Sequence, residues 1–161
     1  MGIQKGTTRR WLACLVIAAV ALGAAATARA AGEKMLPGRV MAMSKYGFDE
    51  TVSRVKQAIE GQQMMVVFTA DHQAMLQMVG LQTKGMAGIE FFHPRYGKVI
   101  VQNDHAAGLD TPLRLVVMEG DMGTVLTYEK PSHTFAKYPK LKKLGEELDG
   151  VLAAIQASVA K

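Results

Sequence analysis

The sequence predicts an α+β domain, a mainly antiparallel sheet covered by helices, and three observations carry that prediction. Residues 113–118 and 123–128 are two β-rich runs separated only by Glu119-Gly120-Asp121-Met122, which makes them a hairpin and therefore antiparallel. Near the end of the chain Leu141, Leu144, Leu148, Val151, Leu152, Ile155 and Val159 fall on one helical stripe, opposed by Lys142, Lys143, Glu146, Glu147 and Asp149. Such a helix buries its stripe against a sheet. Between residues 39 and 103 strand and helix periods alternate, which adds crossovers to the hairpin.

Taken in order, residues 31–38 read as a flexible lead-in that ends on the Pro37-Gly38 turn, and residues 39–161 as one domain. Residues 39–45 alternate, Met41 and Met43 against Val40 and Ala42, and predict a strand. A helix follows from Phe48, with Asp49 as its cap. Phe48, Val52, Val55 and Ile59 form its apolar face, and Gly61 its end. Met64 to Phe68 is an unbroken apolar run, too short and too β-branched for an independent helix, and predicts a buried strand. Asp71, a preferred cap, then starts a short helix at His72. Residues 88–93 predict a third strand closed by Pro94, which cannot continue a ladder, and residues 95–103 a helix turning Tyr96, Val99 and Ile100 inward. The long helix begins at Pro139.

Residues 1–30 predict a cleavable signal peptide and hence a periplasmic or secreted protein. Lys5, Arg9 and Arg10 precede the apolar run from Trp11 to Ala26, and Ala28-Arg29-Ala30 supplies the small residues a signal peptidase reads. About 16 apolar residues fall short of the ~20 that a spanning helix needs, so no membrane attachment is expected after cleavage. Thr8-Arg9-Arg10-Trp11-Leu12 resembles a twin-arginine signal, an alternative to the general secretory route. Cleavage would remove four of the 19 basic residues and none of the 14 acidic ones, so the formal charge falls from +5 to +1. Basicity thus belongs to the leader, and no nucleic-acid partner is expected. Cys14, the single cysteine, leaves with it. That excludes disulfides, thiolate catalysis, iron–sulfur ligation and covalent haem attachment.

The chain from about Val40 to Ala136 resembles the family of domain of unknown function 302. The matching residues are Ser44, Phe48-Asp49-Glu50-Thr51, Ala70-Asp71-His72-Gln73-Ala74, Gly80-Leu81, His93-Pro94-Arg95-Tyr96-Gly97, Leu109-Asp110-Thr111-Pro112-Leu113-Arg114, and Tyr128 followed by Pro131. The resemblance implies a β-α-β(4)-α fold like one half of the TATA-binding protein, with self-association. It carries no implication about DNA, because function lives in sites rather than in folds. It also implies that some exported relatives bind haem or a metal, with the helix-start histidine as ligand. Two departures stand out: Phe92-His93-Pro94 replaces Gly-Asn-Pro or Cys-Asn-Pro, and Thr111-Pro112 replaces Leu-Pro. A site built on that asparagine is altered here.

His72, Met75 and Met78 recur every three residues on one helical flank, placing an imidazole and two thioethers near a strand end. The helix start disfavours imidazolium and keeps a neutral nitrogen for iron or copper, so His72 is the candidate metal ligand. The competing reading is a histidine packed beside Asp71, with both methionines filling irregular core space. His93 shares a strand face with Ile89 and Phe91 and is a further candidate, while His105 and His133 read as solvated. Gly-x-Ser-x-Gly, His-Glu-x-x-His, Walker and Gly-x-Gly-x-x-Gly motifs are absent, and four scattered histidines do not make a structural zinc site. The leading expectation is a non-enzymatic binding protein for haem b or copper through His72, Met75, Met78 and His93. The alternatives are a self-associating module, a homodimer or one docked to an envelope protein, and a small hydrolase or isomerase using an Asp-His pair.

Overall fold

The computed structural model describes residues 36–161; the expected signal peptide, residues 1–30, and most of the lead-in lie outside them. Five strands form one antiparallel sheet, β1 (Arg39–Met43), β2 (Met65–Asp71), β3 (Met86–Phe92), β4 (Leu113–Gly120) and β5 (Gly123–Glu129), in the spatial order β1-β5-β4-β3-β2. The helices between and after them are α1 (Phe48–Gly61), α2 (His72–Gln77), α3 (Pro94–Asn103), α4 (Pro131–Thr134) and α5 (Lys142–Ala157). The expected α+β class and its antiparallel sheet are what the chain adopts. The 113–128 segment is the hairpin β4–β5, in register from Leu115–Tyr128 to Gly120–Gly123.

Alternation divides the sheet into two unlike faces. Ala87, Ile89 and Phe91 of β3, Leu113, Leu115 and Val117 of β4, and Leu126 and Tyr128 of β5 are buried. Val55 and Ile59 of α1 and Leu144, Leu148, Leu152 and Ile155 of α5, all at most 4% exposed, complete this core. The opposite face carries Met41, Met65 and Phe68, more than half exposed, together with the charged residues Arg39, Glu90, Arg114 and Glu129. The sheet is therefore covered on one side, not both.

Several expectations need correction. The apolar run at 64–68 is not a buried strand: only Met64 is buried, and Met65, Val67 and Phe68 of β2 are 51%, 56% and 57% exposed. β2 is an edge strand whose register slips between Val66 and Phe68, a bulge that releases Val67 from the alternation. It also runs on to Asp71, because β3 pairs with it as far as Asp71–Ala87. β3 starts at Met86 and stops at Phe92, leaving His93 outside. The final helix starts at Lys142, preceded by α4 and two 3-10 turns, and Gly145 lets it approach α4: a Cβ there would lie 2.8 Å from Ser132 Cα. Ser132 Oγ donates to Asp149 Oδ2 at 2.6 Å across the same contact.

Asp49 does not cap α1. The cap is Gly47, which has no side chain to accept the first-turn amides, and the turn into the helix is tied down by hydroxyls instead. Thr51 Oγ1 donates to the Gly47 carbonyl at 2.7 Å and lies 2.7 Å from Ser44 Oγ, which accepts from the Tyr46 amide at 3.1 Å. Both hydroxyls are buried, so this knot ties the end of β1 to the start of α1 without water. Thr51→Val keeps the shape, and the Gly47 carbonyl keeps the Thr51 amide, but the buried Ser44 hydroxyl loses its partner. A loss of about 1–3 kcal/mol is expected, read as a lower urea midpoint at unchanged m. An unchanged midpoint would show that the knot contributes nothing.

Candidate functional site

The short helix α2 is set by its first turn. Asp71, the last residue of β2, accepts the Ala74 amide on Oδ1 at 2.9 Å, as its residue type predicts. This commitment holds Asp71 to the backbone, and no hydrogen bond among the described residues joins it to His72. The chain then turns so that the half-buried His72 ring lies back over the open face of the sheet. A Cβ built on Gly88 would be 3.0 Å from His72 Nε2, so the absence of a side chain at this strand position lets the imidazole lie close on the sheet.

Register places the neighbours of that ring. Gly88 pairs with Ala70 on one side and Val116 on the other. Two residues along β3, about 6.7 Å away, Met86 pairs with Met118, and beyond Met118 come Val125 and Met43. On the other side Glu90 pairs with Arg114, their side chains 3.8 Å apart. Glu129 and Arg114 are one step beyond the Leu115–Tyr128 pair, and Glu129 pairs with Arg39. The open face thus consists of a charged row, a middle row of Met41, Thr127, Val116, Gly88 and Ala70 with His72 laid on it, and a methionine-rich row. A cavity of about 510 Å³ opens on this face, with His72, Glu90, Arg114, Val116, Thr127 and Arg39 among its walls.

The candidate residues do not all meet. His72 lines the cavity, whereas Met75 and Met78 are 57% and 86% exposed and fill no core space. His93 lies five residues beyond Gly88 along β3, about 17 Å by strand rise, so it belongs to no site with His72. Its Nδ1 accepts the Arg95 amide at 3.0 Å and caps α3. His133 Nδ1 lies 2.8 Å from Glu129 Oε1. Met86, Met118, Glu90 and Arg114 escape a reading of the sequence because only strand register brings them to His72.

At the mouth of the cavity Asp110 is held twice, accepting from Tyr138 Oη at 2.6 Å and from Lys137 Nζ at 3.0 Å. The hydrogen bond to Asp110 raises the Tyr138 phenol above its ordinary range and likewise raises Lys137. Tyr128, also lining the cavity, is raised first by burial and then by the charge of Asp149. Among the described residues no three of His, Cys, Asp or Glu cluster as a metal site, so any metal here would need sulfur donors beside the imidazole.

The model of the family described as Domain of unknown function DUF302 matches residues 40–159. The crystal structure of the uncharacterized conserved protein DUF302 from Bacillus stearothermophilus superposes with a TM-score of 0.72 at 20% identity, over 77% of this chain and 99% of that one. Such identity speaks for the fold alone. Among curated proteins, the fluoride-specific ion channels FluC 1 of Brucella suis biovar 1 (strain 1330) and of Brucella abortus biovar 1 (strain 9-941) are each 32% identical over 96 residues. These cover 59% of this chain but only 38% and 36% of the two relatives. The chain therefore spans little more than a third of their length.

The placement of His72 is open to a direct check. Gly88→Ala adds a methyl at 3.0 Å from Nε2 and should push the ring aside, moving the His72 imidazole resonances while the backbone spectrum beyond β2, β3 and β4 stays in place. Unmoved imidazole resonances would contradict the packing of His72 on Gly88.

Proposed function

The chain belongs to the DUF302 family, a membership that carries a fold but no activity, and on its own residues we propose an exported, non-enzymatic binding domain that holds a soft metal ion, copper(I) first, on the open sheet face. The observation that carries this reading is the His72 imidazole resting over Gly88 beside the register pair Met86–Met118. Cross-strand partners have Cβ atoms about 4.5–5.5 Å apart, so two thioethers and one imidazole nitrogen fall within a methionine's reach of a common point. Thioether sulfur with a neutral imidazole selects copper(I) over hard cations. Export is supported by the arginine-led apolar leader and its Ala28-Arg29-Ala30 ending.

Haem b fits these residues less well. A porphyrin needs apolar walls for most of its surface, and the cavity beside His72 sets Arg39, Glu90, Arg114 and Glu129 among its apolar walls Leu109, Leu113, Val116 and Leu152. One axial imidazole does not compensate for that row. Copper needs only the His72 end of the face.

The test is titration of the purified protein with copper(I) against a chromophoric competitor. One equivalent is expected to bind. His72→Ala, and the pair Met86→Leu/Met118→Leu, should each weaken binding by roughly tenfold or more, about 1.4 kcal/mol per decade. Met75→Leu/Met78→Leu decides whether the exposed thioethers of α2 serve instead. A protein that takes up no copper, or takes it up equally in every variant, defeats the proposal; a Soret band on adding hemin, lost in His72→Ala, replaces it with haem.

A further inference from the structure

We propose that the end of the cavity away from His72 binds a single-chain amphiphile with a carboxylate head, a medium-chain fatty acid in class. Its apolar body would lie in a split between β4 and β5, and its carboxylate on Arg39. The observation is where the ladders stop. β3 and β4 stay paired out to Phe91–Leu113, and β1 and β5 out to Arg39–Glu129, but β4 and β5 part after Leu115–Tyr128. An inner pair of strands thus opens while the pairs on either side of it hold, which is not how the end of a sheet frays. Thr111 and Pro112 enter on one side of the gap, Pro131 and Thr134 leave on the other, and all four line the cavity.

The split joins the two faces of the sheet. Leu113, Tyr128 and Leu152 belong to the buried face, at 7%, 6% and 1% exposure, yet they line the same cavity as Arg39, Arg114 and Glu129 of the open face. A molecule entering from the open side therefore meets charge first and apolar side chains behind it. Tyr128 makes no polar demand inside, because its hydroxyl already donates to Gln156 Oε1 at 2.9 Å. A charged rim over an apolar interior suits a slender molecule with its one charge at the end. The whole cavity, about 510 Å³, lies in the range that holds small ligands.

The sign of the head group follows from which charges are already engaged. Glu90 lies 3.8 Å from Arg114, Asp110 lies 3.0 Å from Lys137, and Glu129 lies 2.8 Å from His133 Nδ1. Arg39 is exposed and, among the described residues, joins no ion pair, although Glu129 is its register partner. One guanidinium is left over at the rim, and its fork of N–H donors matches a carboxylate. A cationic head would meet Arg39 with every acid beside it already taken.

The test is titration of isotopically labelled protein with decanoate, kept below its micellar range and with a copper chelator present, followed through the amide resonances. Saturable binding of one equivalent is expected, with a Kd of roughly 100 µM and shifts gathered on Leu113, Arg114, Tyr128, Thr134 and Leu152. Decanol, which keeps the chain and lacks the charge, should bind about tenfold more weakly, and Arg39→Gln should weaken decanoate by a similar factor. Thr134→Phe, which fills the gap and leaves Arg39 in place, should abolish binding. Should that variant not fold, Arg39→Gln still decides, because the Arg39 side chain is exposed and unpaired. A wild-type protein without saturable shifts overturns the inference. So do shifts centred on the exposed Met75, Met78 and Val79, or decanoate binding that Arg39→Gln leaves unchanged. Met86→Leu/Met118→Leu should bind decanoate as the wild type does. Copper binding and carboxylate binding can therefore each fail alone.

Discussion

Burial of the α1 and α5 stripes against a single face of the sheet is the interaction on which the rest of this structure depends. Leu144, Leu148, Leu152 and Ile155 of α5 are at most 4% exposed. At about 1.5–3 kcal/mol for each such side chain, these four alone contribute on the order of 6–12 kcal/mol, comparable to the whole net stability of a domain. Both long helices are consumed by that face. The opposite face is left to a row of charges, a middle row under His72 and a row of methionines, and every functional reading of the protein starts from that asymmetry.

The parts of the fold that were legible in the sequence are those determined by neighbours along the chain. The hairpin at 113–128, the α5 stripe and the Asp71 cap each depend on residues within a few positions of one another, and each is found where local pattern puts it. Asp49 looks equally suited to cap α1, yet the cap position is Gly47, and the entry to the helix is held by the Thr51 and Ser44 hydroxyls, because Ser44 arrives from the end of β1. Likewise, Met64 to Phe68 is apolar enough for a central strand, but strand order sets β2 at the margin, where Met65 and Phe68 have no helix above them. Sequence periodicity reports which side chains share a face; it does not report whether that face has a cover.

The same limit applied to the candidate site. His72 could be singled out because it follows a recognisable cap. Its companions could not, since Met86, Met118, Glu90 and Arg114 are brought to it by the register of β3 and β4, a tertiary property. Met75 and Met78 share a helical spacing, but their helix has only six residues, with Met78 as its C-cap, and both side chains stay in solvent. Alternation points His93 into a site only if β3 reaches it; the strand ends one residue earlier, and the ring turns to the Arg95 amide instead.

The two margins of the sheet are closed in different ways. At β2, the slip between Val66 and Phe68 breaks the even spacing of free amides that another strand would need for docking. At β1, Ser44 bridges to Ala160, and the Lys161 amide donates to the Met43 carbonyl at 3.0 Å, so the last residues of the chain fill the end of that margin. A sheet guarded at both sides resists lateral growth into fibrils despite its greasy edge residues. Deleting Val67 would straighten β2 and convert a tolerated apolar edge into a seed for cross-β stacking, so the bulge acts as a safeguard for an edge that exposes phenylalanine and methionine.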